Sequence, residues 1–165
     1  MKTTIKILAF ALVIAFLGCQ NSIGQTKSTA ATASRPKAKT NEEWRKLLTE
    51  NQYYIMVQRG TEPPYKNAYY DMHQKGVFKS AATGDVLFTS DDKFDSGTGW
   101  PSFVKPADAS KIEIVKDNSY GMSRDEVIEK STGLHLGHVF DDGPADRGGK
   151  RYCMNSGALI FVPKK

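Results

Sequence analysis

Cys153 stands in Arg151-Tyr-Cys-Met-Asn-Ser156, and the chain has only one other cysteine, Cys19, inside an apolar N-terminal segment. The folded part therefore owns a single thiol. One thiol makes no internal disulfide and no multi-cysteine zinc site. It is either packing, since a free cysteine behaves as a small hydrophobe, or a reactive group that works with an outside partner. Arg151 and Asn155 flank it at ±2, so in an extended strand all three side chains share one face. A guanidinium beside a thiol favours the nucleophilic thiolate. Asn155 can orient the site or donate a hydrogen bond. On type alone, Arg151 also fits a surface charge and Asn155 a turn.

Upstream lies His135-Leu-Gly-His138-Val-Phe140-Asp141-Asp142-Gly-Pro144, with two of the three histidines at i, i+3. Two histidines without cysteine partners are thin for a metal. Acid–base work beside a thiol suits them better. Asp141 and Asp142 can orient a histidine or pair with Arg151, or simply form the turn before Gly143-Pro144. His73 has no such company. A third segment, Ser96-Gly-Thr98-Gly-Trp100-Pro-Ser-Phe103, brackets a tryptophan with two glycines and a proline. It reads as a tight loop presenting an aromatic face, or as core packing. These residues leave three classes open: a thiol oxidoreductase, a cysteine hydrolase built on Cys, His and Asn, and a binding module without catalysis.

The elements that must hold these residues are mainly β. Gly76 to Lys79, Val86 to Thr89, Ile112 to Val115, Leu136 to Phe140 and Ala158 to Val162 are short runs rich in β-branched and aromatic residues. Turn signals such as Thr83-Gly84-Asp85 and Asp117-Asn118 separate them, which argues for an antiparallel body. Arg124 to Val127 is ambiguous and is taken as another strand. The final apolar strand follows Cys153 almost directly, which fixes the thiol on a rigid element. Before the strands, Thr40-Asn-Glu-Glu43 is a capping box opening a helix. Trp44, Leu47 and Leu48 give that helix an apolar face. The helical region ends by Gly60 and Pro63-Pro64, and Tyr65 to Gly76 reads as irregular or helical.

The first 39 residues do not belong to this body. Lys2 and Lys6 precede an apolar run from Ile7 to Leu17, the pattern of a secretory signal over residues 1–18. Phe16-Leu-Gly-Cys19 is similar to a bacterial lipobox, with Cys19 lipidated and residues 19–39 a flexible linker. Cleavage after Ser22-Ile-Gly24 is the alternative. The expectation is an exported protein, lipid-anchored in the cell envelope and facing the periplasm; cleavage after Gly24 leaves it soluble there. Residues 1–39 hold six basic and no acidic side chains, whereas residues 40–165 hold 17 basic and 18 acidic. The domain over 40–165 thus has no basic excess, which argues against nucleic-acid binding.

Lys93 to Phe103, His135 to Pro144 and Arg151 to Ser156 resemble the three signature blocks of peptide methionine sulfoxide reductase B, and the likeness runs from about Glu43 to Val162. The resemblance implies a fold of two antiparallel sheets with short N-terminal helices. It also implies reduction of the R epimer of methionine sulfoxide in oxidised proteins and peptides. A monomer is expected. Cys153 matches the catalytic cysteine, which ends the reaction as a sulfenic acid. Arg151 and Asp142 match a pair that supports its thiolate. His135, His138 and Asn155 match the polar residues that activate the substrate, with His138 as the closer actor. Trp100 matches the aromatic that receives the S-methyl group, and Phe140 joins it in substrate binding.

Two departures from the family pattern stand out. Many members hold a structural zinc through two Cys-x-x-Cys pairs; those positions here are Ser80, Thr83, Glu129 and Thr132, so a zinc-free member without cofactor is expected. Many also carry a resolving cysteine where this chain has Thr98. Recycling of Cys153 is then expected to need an external thiol, such as a thioredoxin-like reductant.

Overall fold

Thr40 does open a helix, α1 (Asn41–Leu47): its hydroxyl accepts the Glu43 N–H, and the Glu43 carboxylate accepts the Thr40 N–H. The helical region is nevertheless split in two. Leu48 and Thr49 adopt extended backbone, and a second capping box, Thr49 with Gln52, starts α2 (Glu50–Met56). This break decides which leucine is buried. Trp44 and Leu48 are buried, but Leu47, expected beside them, is 62% exposed. The extended Leu48 turns inward where the helix stops. Seven-residue helices do not stand alone in water; these are held by burying Trp44, Tyr53, Ile55 and Met56. From Tyr65 to the first strand the chain runs through turns and bends, with no third helix.

The computed structural model describes residues 35–165; the export signal, Cys19 and residues 20–34 of the linker lie outside the described residues. Nine strands follow the helices: β1 (Gly76–Ser80), β2 (Val86–Thr89), β3 (Lys93–Phe94), β4 (Ser102–Phe103), β5 (Ile112–Asp117), β6 (Arg124–Glu129), β7 (His135–Phe140), β8 (Arg151–Met154) and β9 (Leu159–Pro163). They form two antiparallel sheets, a three-stranded one in the order β2-β1-β9 and a six-stranded one in the order β3-β4-β8-β7-β6-β5. The ambiguous Arg124 segment is the strand β6. Aromatic rings from both sheets make the core. Phe88 of β2 stacks on Phe103 of β4 at 4.4 Å, and Phe78 of β1 meets Phe103 edge-on at 5.0 Å. Each fully buried ring is worth about 1.5–3 kcal/mol.

The four positions that face zinc in many family members also come together. Glu129 is buried and accepts hydrogen bonds from the hydroxyls of both Thr83 and Thr132, the latter at 2.8 Å. The Ser80 hydroxyl accepts the backbone N–H groups of Ala82 and Thr83 at 3.1 and 3.3 Å. One carboxylate and three hydroxyls, already spent on one another and on nearby backbone, do not suit zinc, which takes thiolate, imidazole or several carboxylates. The end of the linker segment is bonded to this side of the domain. Arg35 reaches Glu113 and the Lys130 carbonyl, each at 2.7 Å, and Lys37 reaches Asp85 at 2.8 Å.

Candidate active site

The register of the large sheet assembles the site. Ser102 on β4 and His138 on β7 both lie directly across from Cys153 on β8. Residues directly opposite share a face, so Ser102, Cys153 and His138 form a row. The approach of β7 to β8 is close enough that any side chain at Gly137 would run into the Cys153 carbonyl. That is why a glycine separates Leu136 from His138. Gly99, at φ +86, plays a similar part ahead of Trp100: a side chain there would press on Pro64 and Tyr65 at 2.8 Å.

Cys153 is a free thiol and is only partly exposed. Burial pushes its pKa up, more strongly than Arg151, Thr98 and Ser102 together pull it down. Arg151 does favour the thiolate, but in the resting molecule desolvation wins and the thiol form is stabilised. Thr98, at the resolving position of other members, belongs to a hydroxyl cluster beside the thiol: Ser96 lies 2.8 Å from both Thr98 and Ser102.

Arg151 and Asp142 form a two-pronged pair, Nε to Oδ1 and Nη2 to Oδ2, both at 2.8 Å. Arg151 also lies over the Phe140 ring at 4.4 Å. Phe140 therefore supports the guanidinium, whatever contact it offers a substrate. Asp141 pairs with Lys150 and not with Arg151. His73 pairs with Asp71 on the exposed surface.

The two histidines meet with ring centroids 5.3 Å apart, yet their partners differ. His135 is buried, and its Nδ1 lies 2.7 Å from Glu126 Oε1. Its Nε2 faces the Asn155 amide nitrogen at 3.4 Å. The Asn155 amide is fixed at both ends: Oδ1 accepts the Glu62 N–H at 3.2 Å, and Nδ2 donates to the Leu136 carbonyl at 3.2 Å. Nδ2 can only donate, so Nε2 of His135 accepts and Nδ1 carries the proton toward Glu126. Burial would raise the Glu126 carboxyl, but His135 and Arg59 together hold it below its ordinary value. His138 instead lies 2.8 Å from Asp117 through Nε2. Desolvation lowers the His138 pKa, and the bond to Asp117 opposes that.

Four further carboxylates and guanidiniums of this site escaped the sequence reading: Asp117, Glu126, Arg59 and Glu62. Glu62 links the aromatic to the amide. Its carbonyl accepts the Trp100 indole N–H at 2.9 Å, its own N–H holds Asn155, and its carboxylate accepts the N–H groups of Ser156 and Gly157. Burial pushes the Glu62 carboxyl up. The signals were a Thr-Glu-Pro-Pro segment read only as a helix stop, and acidic residues on short strands, which ordinarily face solvent. All of the site residues expected from sequence, Cys153, His135, His138, Asn155, Arg151, Asp142, Trp100 and Phe140, join this one network.

Comparison with known proteins agrees with the geometry. A family model described as the SelR domain matches residues 48–163. The peptide methionine sulfoxide reductase MsrB of Methanosarcina barkeri (strain Fusaro / DSM 804) is 49% identical over 129 residues, covering 78% of this chain and 90% of that protein. The chain belongs to the SelR-domain family of peptide methionine sulfoxide reductases B.

Proposed function

We propose that this protein is a peptide-methionine (R)-S-oxide reductase that repairs oxidised proteins, with Cys153 as the nucleophile. The observation that carries this is the row Ser102–Cys153–His138, with Arg151 on the same strand, Asn155 directly after it, and Trp100 tied through Glu62 to Asn155. Family membership removes the hydrolase from the readings left open by the residues alone.

The resting state has its proton on sulfur, and the reaction needs that proton on oxygen. As the sulfoxide enters, His138 takes the thiol proton while Cys153 attacks the substrate sulfur, with Arg151 steadying the thiolate. His138 returns the proton to the sulfoxide oxygen, a poor leaving group until protonated. The substrate S–O bond breaks, the oxygen and its proton end on Cys153 as a sulfenic acid, and the thioether departs. Cysteine sulfur loses two electrons and substrate sulfur gains two. The Trp100 indole offers its face to the S-methyl group; sulfur–aromatic contact contributes about 0.3–1.5 kcal/mol.

Thr98 has no thiol, so an external thiol of the thioredoxin type closes the cycle in this account. The hydroxyl-bonded Glu129 corner supports a zinc-free domain. The N-terminal apolar run and Leu17-Gly18-Cys19 support export and a lipid anchor facing the periplasm; among the described residues no helix is long and apolar enough to cross a membrane. The test is an assay of methionine formed from each sulfoxide epimer with dithiothreitol or thioredoxin as reductant. The R epimer is expected to turn over and the S epimer is not. Activity on the S epimer alone would overturn the proposal.

A further inference from the structure

Asp117 closes β5, three strands from Cys153 in sheet order, yet it reaches the site. Its Oδ2 lies 2.8 Å from His138 Nε2 and 2.7 Å from Arg124 Nη2. Its Oδ1 accepts the Ser119 N–H at 3.0 Å. The carboxylate is therefore fixed from three sides. Ser119 first, then His138, hold its pKa far below the carboxylate range, so it stays ionised and does not itself carry protons. The pair also meets open space: Asp117, His138, Arg124, Glu126, Arg59 and Tyr120 line a cavity of about 480 Å³.

The two carboxylate–imidazole pairs are not equivalent. His135 has both ring nitrogens engaged, by Glu126 and by Asn155. His138 has Nε2 engaged by Asp117, and its Nδ1 has no hydrogen-bond partner within the described residues. Of the two, only His138 has a ring nitrogen unbonded among the described residues, and it stands directly across from Cys153.

We propose that Asp117 is a positioning residue for the reduction: by accepting the Nε2–H of His138 it leaves the Nδ1 lone pair for the thiol proton and steadies the imidazolium formed in transit. The logic is that of an acid–base–nucleophile line, in which the carboxylate fixes the tautomer of the ring and does not take the proton. Arg124 stands behind Asp117 and keeps it in place. This inference rests on the reductase reading for its catalytic part. The charged and titratable groups around His138 are Asp117 from β5, Arg124 and Glu126 from β6, His135 from β7, Cys153 directly opposite on β8, and Arg59 across the cavity.

The experiment is a ¹⁵N NMR titration of the histidine rings in the wild type and in Asp117→Asn, read beside kcat over the same pH range. In the wild type His138 is expected as the Nε2–H tautomer. In Asp117→Asn, a near-isosteric change, that tautomer gives way to a mixture, and the ring protonates only at lower pH, because the carboxylate that favoured the cation is gone. The acidic limb of catalysis, where the neutral ring is lost, moves to lower pH with it, and kcat falls about 10²-fold, the scale of acid–base assistance. Asp117→Glu restores part of the rate. The ring titration does not depend on turnover, so failure of the reductase reading leaves its result intact. A His138 tautomer and titration unchanged in Asp117→Asn would overturn the assignment, as would an unchanged kcat.

Discussion

Around Cys153 the polar side chains are fixed by partners while the thiol itself is left without a strong one, whereas at Thr83, Glu129 and Thr132 the side chains satisfy one another and Ser80 beside them bonds backbone. Both clusters draw on the large sheet and on loops, and both are largely buried. At the Glu129 corner two threonine hydroxyls meet the two oxygens of one carboxylate. At the other cluster Arg151 is held by Asp142, Asn155 by Glu62 and Leu136, and His138 by Asp117, while the thiol is given no strong partner of its own. A network that closes on itself holds structure. A network that fixes every group around the thiol and leaves the thiol itself free is what the proposed chemistry needs, and burial pushes that thiol's pKa up.

The contrast predicts that changes in the two clusters dissociate activity from stability. Cys153→Ser is expected to abolish sulfoxide reduction, measured as methionine released in excess dithiothreitol, while the urea midpoint stays near that of the wild type. Residual turnover in Cys153→Ser would place the nucleophile elsewhere. Glu129→Ala is expected to do the reverse. It strips the buried Thr132 hydroxyl and the half-buried Thr83 hydroxyl of their acceptor, which costs about 1–3 kcal/mol of stability by urea unfolding, and activity per folded molecule is retained. Wild-type preparations are expected to carry no stoichiometric zinc by elemental analysis. Zinc at one per chain, or a Glu129→Ala variant as stable as the wild type, would break the comparison.

What the sequence made legible follows the same division. Cys153, His135 and His138 are rare residue types in distinctive surroundings, so their chemistry was visible before any fold. The longer strands showed as β-branched runs. The two-residue strands β3 and β4 were too short to carry a period, yet β4 places Ser102 opposite the thiol. The second capping box at Thr49 was equally plain in the letters, but the apolar spacing around it suggested one continuous helix. Asp117, Glu126 and Glu62 were invisible for a different reason. An acidic residue in a loop or on a short strand ordinarily faces water, and only tertiary pairing with a histidine or with backbone N–H groups makes it part of a site. The sign of the Cys153 shift was out of reach too, because Arg151 could be read from sequence whereas the extent of burial could not.

The central claim is that the single thiol of the domain does the chemistry and stops, one oxygen heavier, until an outside thiol arrives. A single-turnover reaction tests it directly: reduced protein, methionine-R-sulfoxide, no reductant, and a dimedone-type trap, followed by peptide mass spectrometry. The account predicts one methionine per protein and the trapped sulfenic acid on Cys153. Methionine released with Cys153 unlabelled, or with the thiol found in an intramolecular disulfide, would contradict it.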